Sequence, residues 1–94
     1  MITVVIHFYI KDEFVQQFSQ ITIANCADRR KAEGALRISF FQQDTHNTHF
    51  ILLETFASQE TIDAYYESEG YIDWEKQTKE MIVSLSGDDF SILY

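Results

Sequence analysis

No proline and only one cysteine occur in the 94 residues of this chain. With Cys26 alone no intrachain disulfide can form, so nothing in the sequence points to an oxidising compartment. Glycine is scarce at 3 residues, too few for a phosphate-cradling loop or a dinucleotide-binding fingerprint. Positive charge is in deficit: 7 Lys and Arg against 15 Asp and Glu give a formal net charge of -8. An acidic surface repels phosphate backbones and anionic lipid, which argues against nucleic acid and membrane as partners. No apolar run approaches the roughly 20 residues that span a bilayer. The opening stretch from Met1 to His7 lacks the basic start and small-residue cleavage site of a signal peptide and reads as a strand. These absences predict a soluble cytoplasmic protein.

What is present is a rich supply of core residues. At 46% hydrophobic and 15% aromatic, the chain is far from a disordered composition and is expected to fold as a single domain over residues 1–94. So small a domain buries a modest share of its surface, and oligomerisation would add to that burial.

Along the chain, Ile2, Val4, Ile6, Phe8 and Ile10 alternate with Thr3, Val5, His7 and Tyr9, which predicts a first strand. Phe14, Phe18 and Ile21 recur at helical spacing and predict a helix from about Asp12, as its cap, to about Lys31, with Gly34 ending the segment. Ala35 to Gln42 reads as a second strand with Leu36, Ile38 and Phe40 on one face. A polar hairpin leads into a third, His49 to Phe56, apolar on both faces. Ser58 and Ser68 are placed to start two helical pieces, the second carrying Trp74, Met81 and Ile82. Gly87-Asp88-Asp89 reads as a turn before a fourth strand, Phe90 to Tyr94.

The order β-α-β-β-α-β predicts an α+β, ferredoxin-like fold with a four-stranded antiparallel sheet. Helices cover only one face of such a sheet. Because strands one and three are apolar on both faces, the open face would be a large exposed patch. A homodimer formed by packing two open faces together removes it.

The segment Asn25-Cys26-Ala27-Asp28-Arg29-Arg30-Lys31-Ala32-Glu33-Gly34-Ala35-Leu36, followed by Phe50 to Phe56, Ala64 to Ser68, Tyr71 and Trp74, resembles the antibiotic biosynthesis monooxygenase superfamily. The resemblance implies a dimeric α/β barrel with a ligand cavity between sheet and helices. It implies a cofactor-independent monooxygenase or quinol-oxidising protein that acts on a small phenolic or quinol-like aromatic molecule with O2, without metal or flavin. The alternatives are a non-catalytic ligand-binding dimer and a signal-molecule isomerase. Tyr65 stands where many members have a His. Haem-degrading members use an Asn, a Trp and a His where the nearest positions here hold Val5, Tyr65 and Glu75. Polyketide-oxidising members use an Asn, a Trp, a Tyr and an Arg where this chain has Leu52, Phe56, Ile62 and Lys76.

Glu54 interrupts an apolar strand and matches the family's strand Glu. In a dry cavity it would be a general base or an anchor for a phenol. The alternative is pairing with an Arg or a backbone N–H. An unpaired cavity carboxylate would let Glu54→Gln leave stability unchanged or raised, whereas a paired one would lose several kcal/mol. Tyr65 and Tyr66 diverge by about 100° on a helix, so only one can face the cavity. Tyr65, on the family's His position, is taken as that one, a hydrogen-bond donor to substrate. Asn25 would orient a ligand carbonyl, and Phe56 and Trp74 would form an aromatic wall or simply pack. Cys26 reads as a small buried hydrophobe. His46, His49 and Asp44 lie on a short polar hairpin, and no metal site is expected there.

Overall fold

The computed structural model describes residues 1–94. Strand β1 (Ile2–Ile10) leads through a 3₁₀ turn (Asp12–Phe14) into helix α1 (Val15–Arg29). Strands β2 (Ala35–Gln42) and β3 (His49–Phe56) form a hairpin. Helices α2 (Gln59–Tyr66) and α3 (Glu69–Thr78) follow, and a second 3₁₀ turn (Lys79–Met81) delivers the chain to β4 (Ile82–Ser91). The sheet order is β2-β3-β1-β4, with every neighbouring pair antiparallel. This is the ferredoxin-like α+β arrangement. No helix is long and apolar enough to cross a membrane.

The alternation in β1 and β3 sets the layers. Val4, Ile6, Phe8 and Ile10 with Phe50, Leu52 and Phe56 point to the helices and are buried. Phe18 of α1 is the centre of that core, with Phe8, Phe50 and Phe40 rings 5.4, 5.2 and 6.1 Å away. Thr22, one turn on, accepts a hydrogen bond from the Trp74 indole at 3.1 Å. That tie to α3 holds the β-branched Ile21-Thr22-Ile23 stretch in a helix it would not favour alone. Ser58 caps α2 in a reciprocal capping box with Thr61, and Ser68 caps α3 through the Tyr71 N–H.

Four local expectations need correction. Asp12 makes no side-chain cap; it lies in the 3₁₀ turn, and α1 begins at Val15. At its other end α1 stops at Arg29, because Lys31 and Ala32 N–H groups bond three residues back, to Asp28 and Arg29 carbonyls at 3.1 Å, tightening the last turn. Leu36 does not share the buried face of Ile38 and Phe40, because a register shift between Ala35 and Arg37 turns it outward, 56% exposed. Finally, β4 is not confined to Phe90–Tyr94. It runs from Ile82 straight through Gly87, Asp88 and Asp89, which pair with Ile6, Val5 and Val4. The turn preference of Gly-Asp-Asp is local, whereas the free edge of β1 offers backbone partners along its whole length. An edge strand with solvent beside it accepts Gly and Asp readily.

Gly34 is the only residue with positive φ, at 79°. A Cβ there would fall 2.6 Å from the Thr61 side chain, so this glycine permits the close approach of the α1–β2 connection to the start of α2.

Candidate functional site

Glu54 continues the inward series Phe50, Leu52, Glu54, Phe56, so the strand period carries a carboxylate into the core, where it is 0% exposed. Arg29, the last residue of α1, is also 0% exposed and meets it: Nη1 donates to Glu54 Oε2 at 2.7 Å. Arg29 Nε donates to Asn25 Oδ1 at 2.5 Å, one helical turn back. Asn25 in turn donates through Nδ2 to the Tyr65 hydroxyl at 3.4 Å. The other carboxylate oxygen, Oε1, accepts from the Tyr66 hydroxyl at 2.5 Å. Around the guanidinium stand the rings of Trp74, Tyr65 and Tyr71, with centroids 4.9, 5.0 and 5.6 Å from Cζ.

The electrostatics follow from burial and this pairing. Burial alone would push the Arg29 guanidinium down, but Glu54 beside it outweighs that and holds it above its usual value. Burial, then the charge of Glu54 and its hydrogen bond, push the Tyr66 phenol far above the ordinary tyrosine value. Burial raises Tyr65 and Tyr71 as well. It also raises the Cys26 thiol, which keeps that side chain protonated and unreactive.

A pH dependence of stability follows from these tyrosines. The fold holds them protonated, so their contribution is whole below the unfolded-chain value near 10. It is lost as pH rises above that, because the unfolded chain has then released protons the folded chain retains. Unfolding free energy is expected to decline from about pH 10 upward, and Tyr66→Phe is expected to flatten the decline. Urea denaturation at stepped pH measures it; a flat profile through the tyrosine range would contradict the buried arrangement.

Beside the Arg29–Glu54–Tyr66 cluster lies a cavity of about 230 Å³ between the sheet and α3. Val4, Ile6 and Phe8 of β1 and Leu85, Gly87 and Asp89 of β4 form its floor; Arg29, Tyr66, Tyr71 and Trp74 form its roof. It is mostly apolar, with Arg29, Tyr66, Tyr71 and Asp89 as the residues in its lining that carry charged or hydroxyl groups. A wider groove of about 540 Å³, lined by polar side chains including Gln20, Asn25, Asp28, Asp73 and Gln77, opens to solvent between α1 and α3. Trp74 is the wall shared by both.

The residues singled out from sequence separate accordingly. Trp74 lines the cavity. Glu54 lies behind the wall, engaged through both oxygens, so the unpaired cavity carboxylate is replaced by a paired one. Tyr65 packs under Arg29 and against Phe56, 6.2 Å between ring centroids, and the cavity-facing tyrosine is its neighbour Tyr66. Phe56 is 0% exposed in the core. Asn25 faces the outer groove while its carbonyl oxygen holds Arg29. Sequence reasoning missed Arg29, Tyr66 and Tyr71. The i, i+4 spacing of Asn25 and Arg29 was a signal for the first. The hairpin imidazole of His49 hydrogen-bonds His7 at 2.9 Å and Gln43 at 2.7 Å. No group of three His, Cys, Asp or Glu side chains is placed to hold a metal ion.

Comparison with known proteins gives a family match over most of the chain. The model of the family described as antibiotic biosynthesis monooxygenase matches residues 1–77. Among curated proteins none matches. Solved structures match closely in shape. A Nitrosomonas europaea protein provisionally named an antibiotic biosynthesis monooxygenase superposes with TM-score 0.96 at 20% identity, covering 100% of both chains. A second protein named an antibiotic biosynthesis monooxygenase gives 0.93 at 14% identity, again covering 100% of both. A Deinococcus radiodurans protein, also provisionally so named, gives 0.92 at 13% identity, covering 100% of this chain and 94% of its own. At such identities the likeness is one of fold.

Proposed function

The chain belongs to the antibiotic biosynthesis monooxygenase family, and from that premise we propose that it is a cofactor-independent oxidoreductase acting on a small phenolic or quinol-like substrate in the sheet–helix cavity. In such chemistry the substrate's own anion carries the electrons, so the protein's task is deprotonation, orientation and exclusion of water.

The observation that carries this reading is Tyr66, which lines the mostly apolar cavity and donates its hydroxyl to a wholly buried carboxylate. A substrate O–H donating to Tyr66 Oη can pass its proton through: the substrate O–H bond breaks, Oη takes that proton, and the proton Oη held moves to Glu54 Oε1. Because the Tyr66 phenol is held well above its ordinary value, the two transfers are concerted and no free tyrosinate forms. For a hydroquinone, two protons and two electrons leave in total, and dioxygen takes both and becomes hydrogen peroxide. Tyr66, at the cavity wall, is the contacting group; Glu54 is the proton acceptor behind it. Asn25 and Tyr65 position Arg29, Trp74 forms the aromatic wall, and Phe56 packs beneath Tyr65.

Tyr66→Phe is expected to lower hydroquinone-dependent oxygen uptake by about 100-fold or more, the range of a lost general acid–base group. Quenching of Trp74, the one tryptophan, should still report binding. Undiminished uptake in this variant would sink the relay. The second reading, a ligand-binding dimer without chemistry, is favoured by the complete pairing of Glu54 with Arg29 and Tyr66; it predicts quenching without any oxygen uptake.

The working form is proposed to be a homodimer. Val5, Ile51, Leu53, Phe41 and Tyr9 lie on the sheet face that no helix covers, the last two 47% and 45% exposed. Face-to-face packing of two such sheets closes an α/β barrel.

A further inference from the structure

One arm of Arg29 is unaccounted for. Nε donates to Asn25 and Nη1 to Glu54, while Nη2 makes no hydrogen bond within the chain. No polar side-chain atom sealed from solvent lacks a partner, so Nη2 holds part of the 1% of its surface that the Arg29 side chain leaves open, and Arg29 lines the cavity of about 230 Å³. The side chain is otherwise immobilised, held by two hydrogen bonds and three aromatic rings. A planar donor with one arm left unpaired beside a mostly apolar cavity is preorganised for a negative oxygen, and its charge is weakly screened there.

We propose that Arg29 Nη2 is the receptor for the oxyanion of a single-ring aromatic ligand, a phenolate, bound in this cavity. The inference rests on the cavity being the ligand site and deepens it by naming the ionic form of the oxygen that meets Arg29; in a quinol the second hydroxyl is the one that donates to Tyr66. The ring count comes from size: about 230 Å³ is below the roughly 300–1,000 Å³ typical of drug-sized pockets. The charged and titratable groups facing the guanidinium do not cancel the effect. From β3, Glu54 occupies Nη1 only. From α2 and α3, Tyr65, Tyr66 and Tyr71 stay neutral, their phenols raised by burial. From β4, Asp89 lines the cavity but is itself exposed, so solvent screens it.

The test uses 4-nitrophenol, whose anion absorbs in the visible and which has no second hydroxyl to oxidise. Absorbance titration with the intact protein is expected to show bound 4-nitrophenol ionising about one pH unit lower than free, a tenfold preference for the anion, with calorimetry giving affinity on either side of the midpoint. Arg29→Lys keeps a charge for Glu54 but lacks the second arm, and should lose most of that preference. The paired variant Arg29→Met with Glu54→Met removes the buried charges together, a change that folds tolerate, and should bind only the neutral phenol. Absence of binding, equal or tighter binding of the neutral form, or a paired variant that still prefers the anion overturns the proposal. Hydroquinone oxidation without anion preference would sink the receptor alone. Anion preference without oxidation would sink the oxidative reading alone.

Discussion

Glu54→Gln is expected to destabilise the chain by about 3–5 kcal/mol, because it leaves the Arg29 charge buried without its counter-charge. Both partners are fully buried and joined at 2.7 Å, so solvent cannot take over the role of the lost carboxylate. The loss would be a large fraction of the roughly 5–15 kcal/mol that holds small domains folded. A double-mutant cycle separates the pair from its parts. Arg29→Met alone strands the carboxylate and should cost a similar amount, whereas the two methionines together should recover much of the loss, since an apolar pair carries no desolvation penalty. Denaturant midpoints measure all four proteins. A loss below about 1 kcal/mol for Glu54→Gln, the scale of an exposed pair, would mean that the carboxylate is not buried as described.

The second large effect concerns the open sheet face. Four strands about 4.8 Å apart, rising about 3.3 Å per residue over eight residues, make a face of roughly 500 Å². Two such faces bury roughly 1,000 Å² in total, the lower bound for a specific interface. Light scattering is expected to give twice the chain mass of 11.0 kDa. Leu53 sits near the centre of this face, opposite Val5 on one side and Ser39 on the other. Leu53→Asp would bury one unpaired carboxylate per copy, and two-fold symmetry would bring both into the same interface. The expected outcome is a monomer at micromolar concentration, or a chain that no longer folds. Charge placed on Ile23, exposed on α1, should leave the mass unchanged. A wild-type monomer, or an undisturbed Leu53→Asp dimer, would refute the face-to-face arrangement.

The fold was legible because its signals are periodic. Alternation in β1 and β3, and the serines at 58 and 68, each act over a few residues, and each agrees with the global topology. β4 was misplaced because its strongest local signal, Gly87-Asp88-Asp89, opposes its long-range pairing with Val4, Val5 and Ile6. A backbone that must satisfy an open edge overrides a turn preference worth little by itself.

The site divides along the same line. Sequence alone determined that Glu54 shares a face of its strand with Leu52 and Phe56, two steps away on either side; with both faces apolar, only the tertiary structure decided that this is the face the helices cover. Sequence also determined that Tyr65 and Tyr66 point apart, because adjacent helical residues diverge by about 100°. Which of the two reaches the carboxylate depends on how α2 is rotated over β3, a rigid-body placement with no period in the sequence to report it; the tertiary structure chose Tyr66. It likewise decided that the counter-charge is Arg29 and not Arg30, 25 residues from Glu54 along the chain yet 2.7 Å away in space. Local patterns fix which face a side chain occupies, because dihedral geometry repeats. Who meets whom across the core is fixed only when helices dock on the sheet and every buried charge and hydroxyl must find a partner.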